Sequence, residues 1–229
     1  MFRVAVTGIG LLSPLGLDVG SFWDGLCAGR SGVDFITEFS TEKLRTDIAA
    51  NVRGFDPKSV LETREIDYTG RVVQLGLAAS LQAVREARLE DVDRTRVGVL
   101  VSSGQGSVEI FVDQVQRAAA RGPRAVSPYF IPSAMPNALS GLIATKLGLR
   151  GPSFNIASAC ATSTHSLAIG ALLILSGDAD VVIAGGGEAA TCPATIAGFG
   201  NARARAKAYQ GDPTRASRPY DKHRNGFVI

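Results

Sequence analysis

The sequence predicts an α/β fold built around a parallel sheet, and three observations lead to that class. Residues 97–101 and 179–184 are short, continuous apolar runs, which are typical of strands buried on both faces. Residues 69–89 form the longest segment in which apolar side chains recur at helical spacing. Because such strands alternate with helices of this length along the chain, βαβ units and a parallel sheet are the expected arrangement.

The first third of the chain contains two further predicted strands and a short helix. Residues 3–9 are a β-branched run that closes in a Gly-x-Gly pair. A dinucleotide-binding loop is disfavoured there, because Ser13 replaces the third glycine and a proline follows it. Residues 21–28 predict an amphipathic helix with Ser21 as its N-cap, and residues 46–52 predict a strand.

The middle of the chain alternates helices with glycine-rich and proline-rich connections. The strand at residues 97–101 ends in a glycine-rich turn at residues 102–106, and a helix is predicted from residue 108 to residue 120. Residues 127–136 carry three prolines, which lack an N–H donor, so this segment is predicted to be irregular. A helix is predicted to resume at residues 137–147.

Residues 151–177 are the stretch around which we expect the rest of the chain to be organised. Residues 153–158 predict a strand, and residues 161–175 predict a helix that stops at Gly177. Cys160 lies at the junction between two alanines, whose small side chains permit a tight turn. A thiol at the start of a helix faces the positive end of the helix dipole, which favours a nucleophilic thiolate. On spacing alone, the alternative is a small apolar cysteine buried at a helix start.

The composition excludes several classes of protein. A net charge of +3 over 229 residues is too mild for a dedicated nucleic-acid binder and is compatible with a small acidic protein partner. No apolar run reaches the length of a membrane span, and Met1 leads straight into a predicted strand rather than a secretory signal. The three cysteines are widely spaced and form neither a metal-binding pattern nor an even disulfide set, which favours a cytoplasmic protein.

Motifs spread along the whole chain carry a family resemblance. They are ACATSTHS at residues 159–166, VAVTGIG at 4–10, SPLG at 13–16, RPYD at 218–221 and GFV at 226–228. Together they resemble the β-ketoacyl-(acyl carrier protein) synthases of the elongating type, within the thiolase superfamily. The context of Cys160 separates this branch from thiolases proper and from the chain-initiating synthases.

The resemblance implies both a fold and a reaction. The synthases have a five-layer thiolase fold made of two βαβαβαββ halves, and residues 1–229 resemble the first half, with loop and helix insertions. We expect the chain to end inside the last strand of that half, so that the C-terminal half lies outside it. The implied reaction is a decarboxylative Claisen condensation in fatty acid or polyketide elongation. Cys160 takes an acyl group from the phosphopantetheine arm of an acyl carrier protein, and the carbanion from a malonyl-carrier attacks that thioester. No separate cofactor and no metal are expected.

Neither histidine in the sequence fits the catalytic role that the family assigns to two histidines of the C-terminal half. His165 lies five residues after Cys160, roughly 140° around a helix with about 100° per residue, and it coincides with a family position that is not catalytic. His223 lies among charged residues in a polar loop, which is typical of a solvated surface side chain. This chain alone is therefore not expected to complete the reaction.

The resemblance also implies residues that bind substrate and partner. The expected substrate contacts are Gln105, Met135 and Ser163. Gln105 stands in a Gly-x-Gly turn where fatty-acid-elongating relatives often carry an aliphatic residue. A buried amide there would oppose a long saturated chain and favour a short, polar or unsaturated acyl group. The expected carrier-binding residues are Arg64, Arg124, Arg203, Arg205 and Lys207, each of which could instead be an ordinary solvated charge. Glu62 and Glu65 stand where relatives tend to be basic or neutral.

The sequence leaves alternatives open for the role of the chain. The leading interpretation is the nucleophilic portion of a ketosynthase that works as a homodimer or as a heterodimer with a second ketosynthase-like subunit. In relatives the segment at residues 153–158 pairs across the twofold axis, and a monomer would leave that edge exposed. The main alternative is a non-catalytic partner subunit that shapes the acyl pocket, against which the intact Cys160 weighs. A free-standing binding module is the third possibility.

Overall fold

The computed structural model describes residues 3–89 and 91–229. The chain divides into two compact units, each made of two stretches of sequence. The first unit comprises the residues up to Leu11 together with Asp56–Ala189, and the second comprises Leu12–Phe55 and Ala190–Ile229. Taken over the described residues, none of the helices has the length and apolar character needed to span a bilayer.

The described residues form helices and short strands that are interspersed along the chain. The helices are α1 (Val19–Cys27), α2 (Thr63–Ile66), α3 (Arg71–Ala87), α4 (Val108–Arg121), α5 (Phe130–Ala134), α6 (Ala138–Leu147), α7 (Thr162–Leu175) and α8 (Pro193–Asn201). The strands are β1 (Asp34–Phe35), β2 (Ile48–Ala49), β3 (Val97–Ser102) and β4 (Val181–Gly186). Short 3-10 turns connect several of them, including Ala159–Ala161 directly before α7.

The first unit is organised around a parallel pair of strands. β3 pairs with β4 from Val97–Val181 to Ser102–Gly186, and β3 is buried along its whole length. Helices α3, α6 and α7 cover the pair, so that apolar residues of α3 and α6 form one core with the strands. Gly170 of α7 allows a close approach to β4, because a Cβ there would lie only 3.2 Å from a methyl group of Val182.

The predicted helices of the first unit are confirmed with small shifts at their ends. α3 falls within predicted residues 69–89 and buries one face through Val72, Val73 and Leu77, ending at Arg88 in the left-handed conformation. α4 and α6 coincide with the predicted helices to within one residue at either end, β3 extends the predicted run by one residue, and β4 begins and ends two residues later than predicted. Gly177 has φ +82° just beyond α7, as expected of a residue that stops a helix.

The second unit is smaller and contains α1, α8 and the antiparallel pair β1–β2. Its buried residues form two small clusters, centred on Ile48 and on Ile196. The N-cap of α1 is Asp18, whose carboxylate accepts a hydrogen bond from Ser21 N at 2.7 Å. The prediction of Ser21 as the N-cap is therefore wrong by three positions, because Ser21 completes a capping box from inside the helix.

Three predicted strands are shorter than expected or absent as strands. Residues 3–9 form no strand: Gly8 and Gly10 lie against α3, and Ile9 N and Leu11 N donate to side chains of that helix. Met1, from which the sequence leads into that segment, lies outside the described residues. Of residues 46–52 only β2 is a strand. Of residues 153–158 only Ser153 forms a bridge, to Val99.

The segment predicted to be irregular at residues 127–136 contains the five-residue helix α5. Pro132 is the third residue of this helix. The first turn of a helix has N–H groups without intrahelical acceptors, so a proline at that position removes no helical hydrogen bond. The prediction counted prolines without regard to where in a helix they would stand.

Candidate active site

Cys160 occupies a sharp turn at the carboxyl end of the parallel strands. It is the central residue of the 3-10 turn that precedes α7, and its side chain is exposed, whereas Cys192 is buried. The residue before it, Ala159, has φ 51°, a left-handed conformation that costs free energy for a residue other than glycine. A strained turn between an extended segment and a helix presents a side chain at its apex. Because its side chain is exposed, Cys160 is not the buried apolar cysteine that spacing alone left open.

Hydrogen bonds across the turn hold it in this conformation. Ser158 N donates to Thr162 Oγ1 at 3.0 Å, and Ala161 N donates to Ser158 O at 3.1 Å. The Ser158 hydroxyl is also 2.7 Å from His165 Nδ1. His165 therefore braces the turn, and its non-catalytic role stays a prediction. We refer to residues 158–162 as the Cys160 elbow.

The turn that follows β3 forms a second wall of the site and carries Gln105. Ser103 N donates to Asn155 Oδ1 at 2.8 Å, and Asn155 Nδ2 donates back to Ser103 O at 3.2 Å. Gly106 N donates to Ser103 Oγ at 2.8 Å. Ser103 is fully buried while Gln105 is exposed at the tip. We call residues 103–106 the Gln105 turn.

Glu188, which the sequence interpretation did not single out, lies directly beneath the Gln105 turn. It follows the triple glycine at the end of β4, and its carboxylate accepts hydrogen bonds from Ser103 Oγ at 3.1 Å and from Gln105 N at 3.2 Å. Burial raises the pKa of Glu188 above its ordinary value, and the hydrogen bonds from Ser103 and from backbone N–H groups partly oppose that shift. The sequence feature that could have pointed to Glu188 is its position as a single acidic residue at the carboxyl end of a buried strand.

The Gln105 turn and the Cys160 elbow lie next to each other. A Cβ built on Gly104 would lie 3.3 Å from Glu188 Oε2 and 3.6 Å from Ala159 Cα. Ser163 lies against the end of β4, because a Cβ on Gly186 would lie 2.6 Å from the Ser163 hydroxyl oxygen. The predicted substrate residues Gln105 and Ser163 are thus gathered around the turn that carries the cysteine.

Met135 lies in different surroundings from the other two predicted substrate residues. It lines a cavity of about 370 Å³ between the start of α3, α5 and α6, and it is 43% exposed. Tyr68 and Tyr129 stack on each other in the cavity wall with ring centroids 4.8 Å apart. Among the described residues that line this cavity, Cys160 is absent.

The predicted carrier-binding residues divide into exposed and buried ones. Arg64 and Arg124 are exposed in the first unit, where Arg64 pairs with Glu62 at 3.4 Å. Arg203 and Lys207 are exposed in the second unit. Glu65 pairs with Lys146 at 2.6 Å, which lowers the pKa of its carboxyl.

Arg205 requires a correction, because it is only 5% exposed. Its Nη2 donates to the carbonyl oxygen of Ile48 inside the second unit, and burial lowers its pKa. A buried guanidinium is not available to a docking protein. Arg203 has φ 56°, so its backbone is left-handed rather than extended.

His223 lies at the surface and, among the described residues, belongs to no group that could bind a metal ion. His223 is exposed, and its backbone N donates to Asp221 Oδ1 at 2.6 Å, as expected of a polar surface loop. Within the residues that the structure describes, no group of three or more histidine, cysteine or acidic side chains could hold a metal ion.

Comparison with known proteins gives one family for the whole chain. The family described as Beta-ketoacyl synthase, N-terminal domain, matches residues 1–229. The 3-oxoacyl-[acyl-carrier-protein] synthase 2 of Vibrio cholerae is 41% identical over 229 residues, which is 99% of this chain and 55% of that protein. The protein of the same description from Coxiella burnetii is 42% identical with the same coverage. The chain therefore spans about half the length of the curated relatives it matches.

Solved structures similar to this chain are ketosynthases. The ishigamide ketosynthase/chain length factor superposes with a TM-score of 0.85 at 30% identity, over 97% of this chain and 54% of that one. A type II polyketide synthase acyl-carrier protein in complex with its ketosynthase bound to the hexaketide gives a TM-score of 0.87 at 26% identity, over 99% of this chain and 55% of that one. These structures confirm the predicted thiolase-like α/β fold.

Proposed function

The chain belongs to the beta-ketoacyl synthase family, through that family's N-terminal domain, and we propose that it supplies the nucleophilic cysteine of a ketosynthase that elongates an acyl chain. The observation that carries the proposal is the exposed Cys160 on a strained elbow at the start of α7. Nucleophiles are commonly presented in this way, with the reacting atom accessible and the helix N-terminus nearby.

In the proposed reaction Cys160 Sγ attacks the carbonyl carbon of an acyl thioester on an acyl carrier protein. The bond from that carbon to the phosphopantetheine sulfur breaks, and the carrier thiol leaves. A malonyl-carrier then loses carbon dioxide, and its carbanion attacks the acyl carbon, so that Cys160 Sγ leaves as the thiolate. We assign the Cys160 backbone N–H to stabilising the oxyanion of the acyl-transfer steps. The groups that bind the malonyl thioester are assigned to a C-terminal half of the protein.

We further propose that the Gln105 side chain limits the length of the acyl group held on Cys160. The proximity of Gly104 to Ala159 supports this, because it puts the Gln105 turn beside the residue that precedes the nucleophile. An amide in an acyl channel loses hydrogen bonds to water and contributes little apolar contact. A short, polar or unsaturated acyl group is therefore the favoured substrate, in fatty acid or polyketide synthesis. Ser163 is proposed as a second contact, and Met135 as a contact farther from the elbow.

The proposed partners are an acyl carrier protein and a second ketosynthase-like subunit. The exposed Arg64, Arg124, Arg203 and Lys207 suit an acidic carrier protein, and Arg205 is excluded from this group by its burial. The substrates arrive on phosphopantetheine, so no separate cofactor is proposed. The similar ketosynthases described with an acyl-carrier protein and with a chain length factor support both kinds of partner. The exposed Cys160 weighs against a non-catalytic subunit.

The proposal is tested by condensation in the protein at its full natural length, with its partner subunit if it has one. Acyl-carrier and malonyl-carrier are supplied, and the 3-oxoacyl product is measured by mass spectrometry. Cys160→Ala should abolish product, while Cys27→Ala, a matched change at the other exposed cysteine, should leave the rate unchanged. Product formation that survives Cys160→Ala would contradict the proposal.

A further inference from the structure

Glu188 is a buried carboxylate for which the proposed reaction has no direct use. Within the described part of the chain it takes part in no salt bridge. Its partners are the neutral hydroxyl of Ser103 and backbone N–H groups. Burial of a carboxylate without a cation is costly, and the raised pKa reflects that cost. Carboxyl groups with perturbed pKa values concentrate at functional sites.

The two carboxylate oxygens hold two different points of the Gln105 turn. Oε1 accepts from Ser103 Oγ and Oε2 accepts from Gln105 N. Ser103 Oγ in turn accepts a hydrogen bond from Gly106 N. Glu188 therefore also holds the Gly106 end of the turn, indirectly through the Ser103 hydroxyl. The turn is anchored through Glu188 to the end of β4, independently of Asn155, which anchors it to the segment leading to the elbow.

The Glu188 carboxylate lies close to the Cys160 elbow, with only Gly104 between them. The Cβ direction of Gly104 points between Glu188 Oε2, at 3.3 Å, and Ala159 Cα, at 3.6 Å. A turn released from Glu188 would keep only its Asn155 anchor at Ser103, so its tip could move relative to Ala159 and carry the Gln105 side chain with it. The thiol itself would keep its own hydrogen-bonded elbow, which Ser158 and Thr162 form without Glu188.

We propose that Glu188 is a positioning residue for substrate choice: it fixes the Gln105 turn against the Cys160 elbow and thereby sets the room available to an acyl group on Cys160. This inference rests on the proposed function. It predicts that loss of the anchor relaxes selectivity between acyl groups while leaving the nucleophile reactive.

The test uses the protein at its full natural length and a mixture of short and long saturated acyl-carrier proteins in competition. Intact mass gives the ratio of the two acyl groups loaded on Cys160, and iodoacetamide alkylation of Cys160 reports the elbow. Glu188→Ala should shift the loading ratio toward the long chain by about tenfold, within the range that one small change in a specificity pocket produces. Alkylation of Cys160 should stay within about twofold, since a purely local change away from the thiol leaves its environment intact.

Two conservative variants and a surface control distinguish positioning from stability. Glu188→Gln keeps the shape and one acceptor oxygen and should retain nearly the wild-type ratio. Glu188→Asp withdraws the carboxylate by one methylene and should shift the ratio partway, which decides the matter if Glu188→Ala fails to fold. Asp91→Ala, which removes an exposed carboxylate, should change nothing.

An unchanged loading ratio in folded Glu188→Ala, or in Glu188→Asp where the alanine variant does not fold, would overturn the inference. Failure of the wild-type protein to load either chain would instead contradict the proposed function, so the two failures are distinguishable.

Discussion

Replacement of Gly186 by alanine should weaken the fold and disturb the Cys160 elbow at the same time. Gly186 is the last residue of β4 and pairs with Ser102. A Cβ at this position would lie 2.6 Å from Ser163 Oγ and 2.9 Å from the backbone oxygen of Ser102. Both distances are too short for ordinary packing. Rotation of the Ser163 hydroxyl can relieve one contact, but the Ser102 backbone oxygen can move only if the end of β3 shifts.

Gly185 provides the matched control for this change. A Cβ there meets nothing within 4 Å, and neither glycine has a positive φ. Gly185→Ala should therefore be neutral or should stabilise by about 0.4–1 kcal/mol, because alanine restricts the unfolded chain. Gly186→Ala has the same effect on the unfolded chain but adds a packing cost of about 1–3 kcal/mol. A net loss of up to about 2.6 kcal/mol is the expected outcome.

Urea unfolding measures the stability difference, and iodoacetamide labelling with peptide mapping measures the reactivity of Cys160. We expect Gly186→Ala to be less stable than Gly185→Ala and to alter the alkylation rate of Cys160. Equal stability and equal alkylation in the two variants would refute the reasoning that the start of α7 rests directly on the end of β4.

Three further predictions concern the site. Gln105→Ala should raise loading of long saturated acyl groups by an amount equivalent to about 0.8 kcal/mol per methylene that gains apolar contact, with little change for short ones; equal loading by the unmodified protein would show that the side chain points away from the channel. In the folded protein, limited iodoacetamide should label Cys160 fastest, Cys27 more slowly and the buried Cys192 least; preferential labelling of either other thiol would count against the elbow. Because the pKa of Glu188 is raised in the folded state, its contribution to stability is present below the ordinary value of 4.5 and is lost as pH rises through the folded pKa. Urea unfolding should therefore find Glu188→Gln more stable than wild type at neutral pH, with the difference vanishing below that value; a difference independent of pH would contradict this.

The parts of the fold that were predictable are those whose pattern is local. α3, α4 and α6 have apolar side chains at helical spacing, and β3 and β4 are continuous apolar runs. The segment before Cys160 was mispredicted, because the neighbouring turn supplies side-chain partners for its polar groups. Ile156 N donates to Ser102 Oγ at 3.1 Å, a contact between residues 54 positions apart. Periodicity within the segment contains no information about that contact.

The candidate site was predictable only where one short motif defines it. Cys160 stood out because small residues flank it at a junction of two predicted elements. Glu188 did not, because its partner Ser103 is 85 residues away and meets it only when β3 and β4 pair in parallel register. Arg205 was mispredicted for the same reason, since the carbonyl oxygen that accepts a hydrogen bond from its buried guanidinium belongs to Ile48, 157 residues away.

In the proposed reaction the acyl group is carried on the sulfur of Cys160. It is tested most directly by incubating the protein at its full natural length with acyl-carrier protein and no malonyl donor, followed by acid quenching, tryptic digestion and mass mapping. Cys160 and Cys192 fall in one tryptic peptide, since no lysine or arginine occurs between Arg150 and Arg203, so fragment ions must distinguish them. We expect the added acyl mass on Cys160 alone. An acyl group on Cys192 or Cys27, or none on any cysteine, would contradict it.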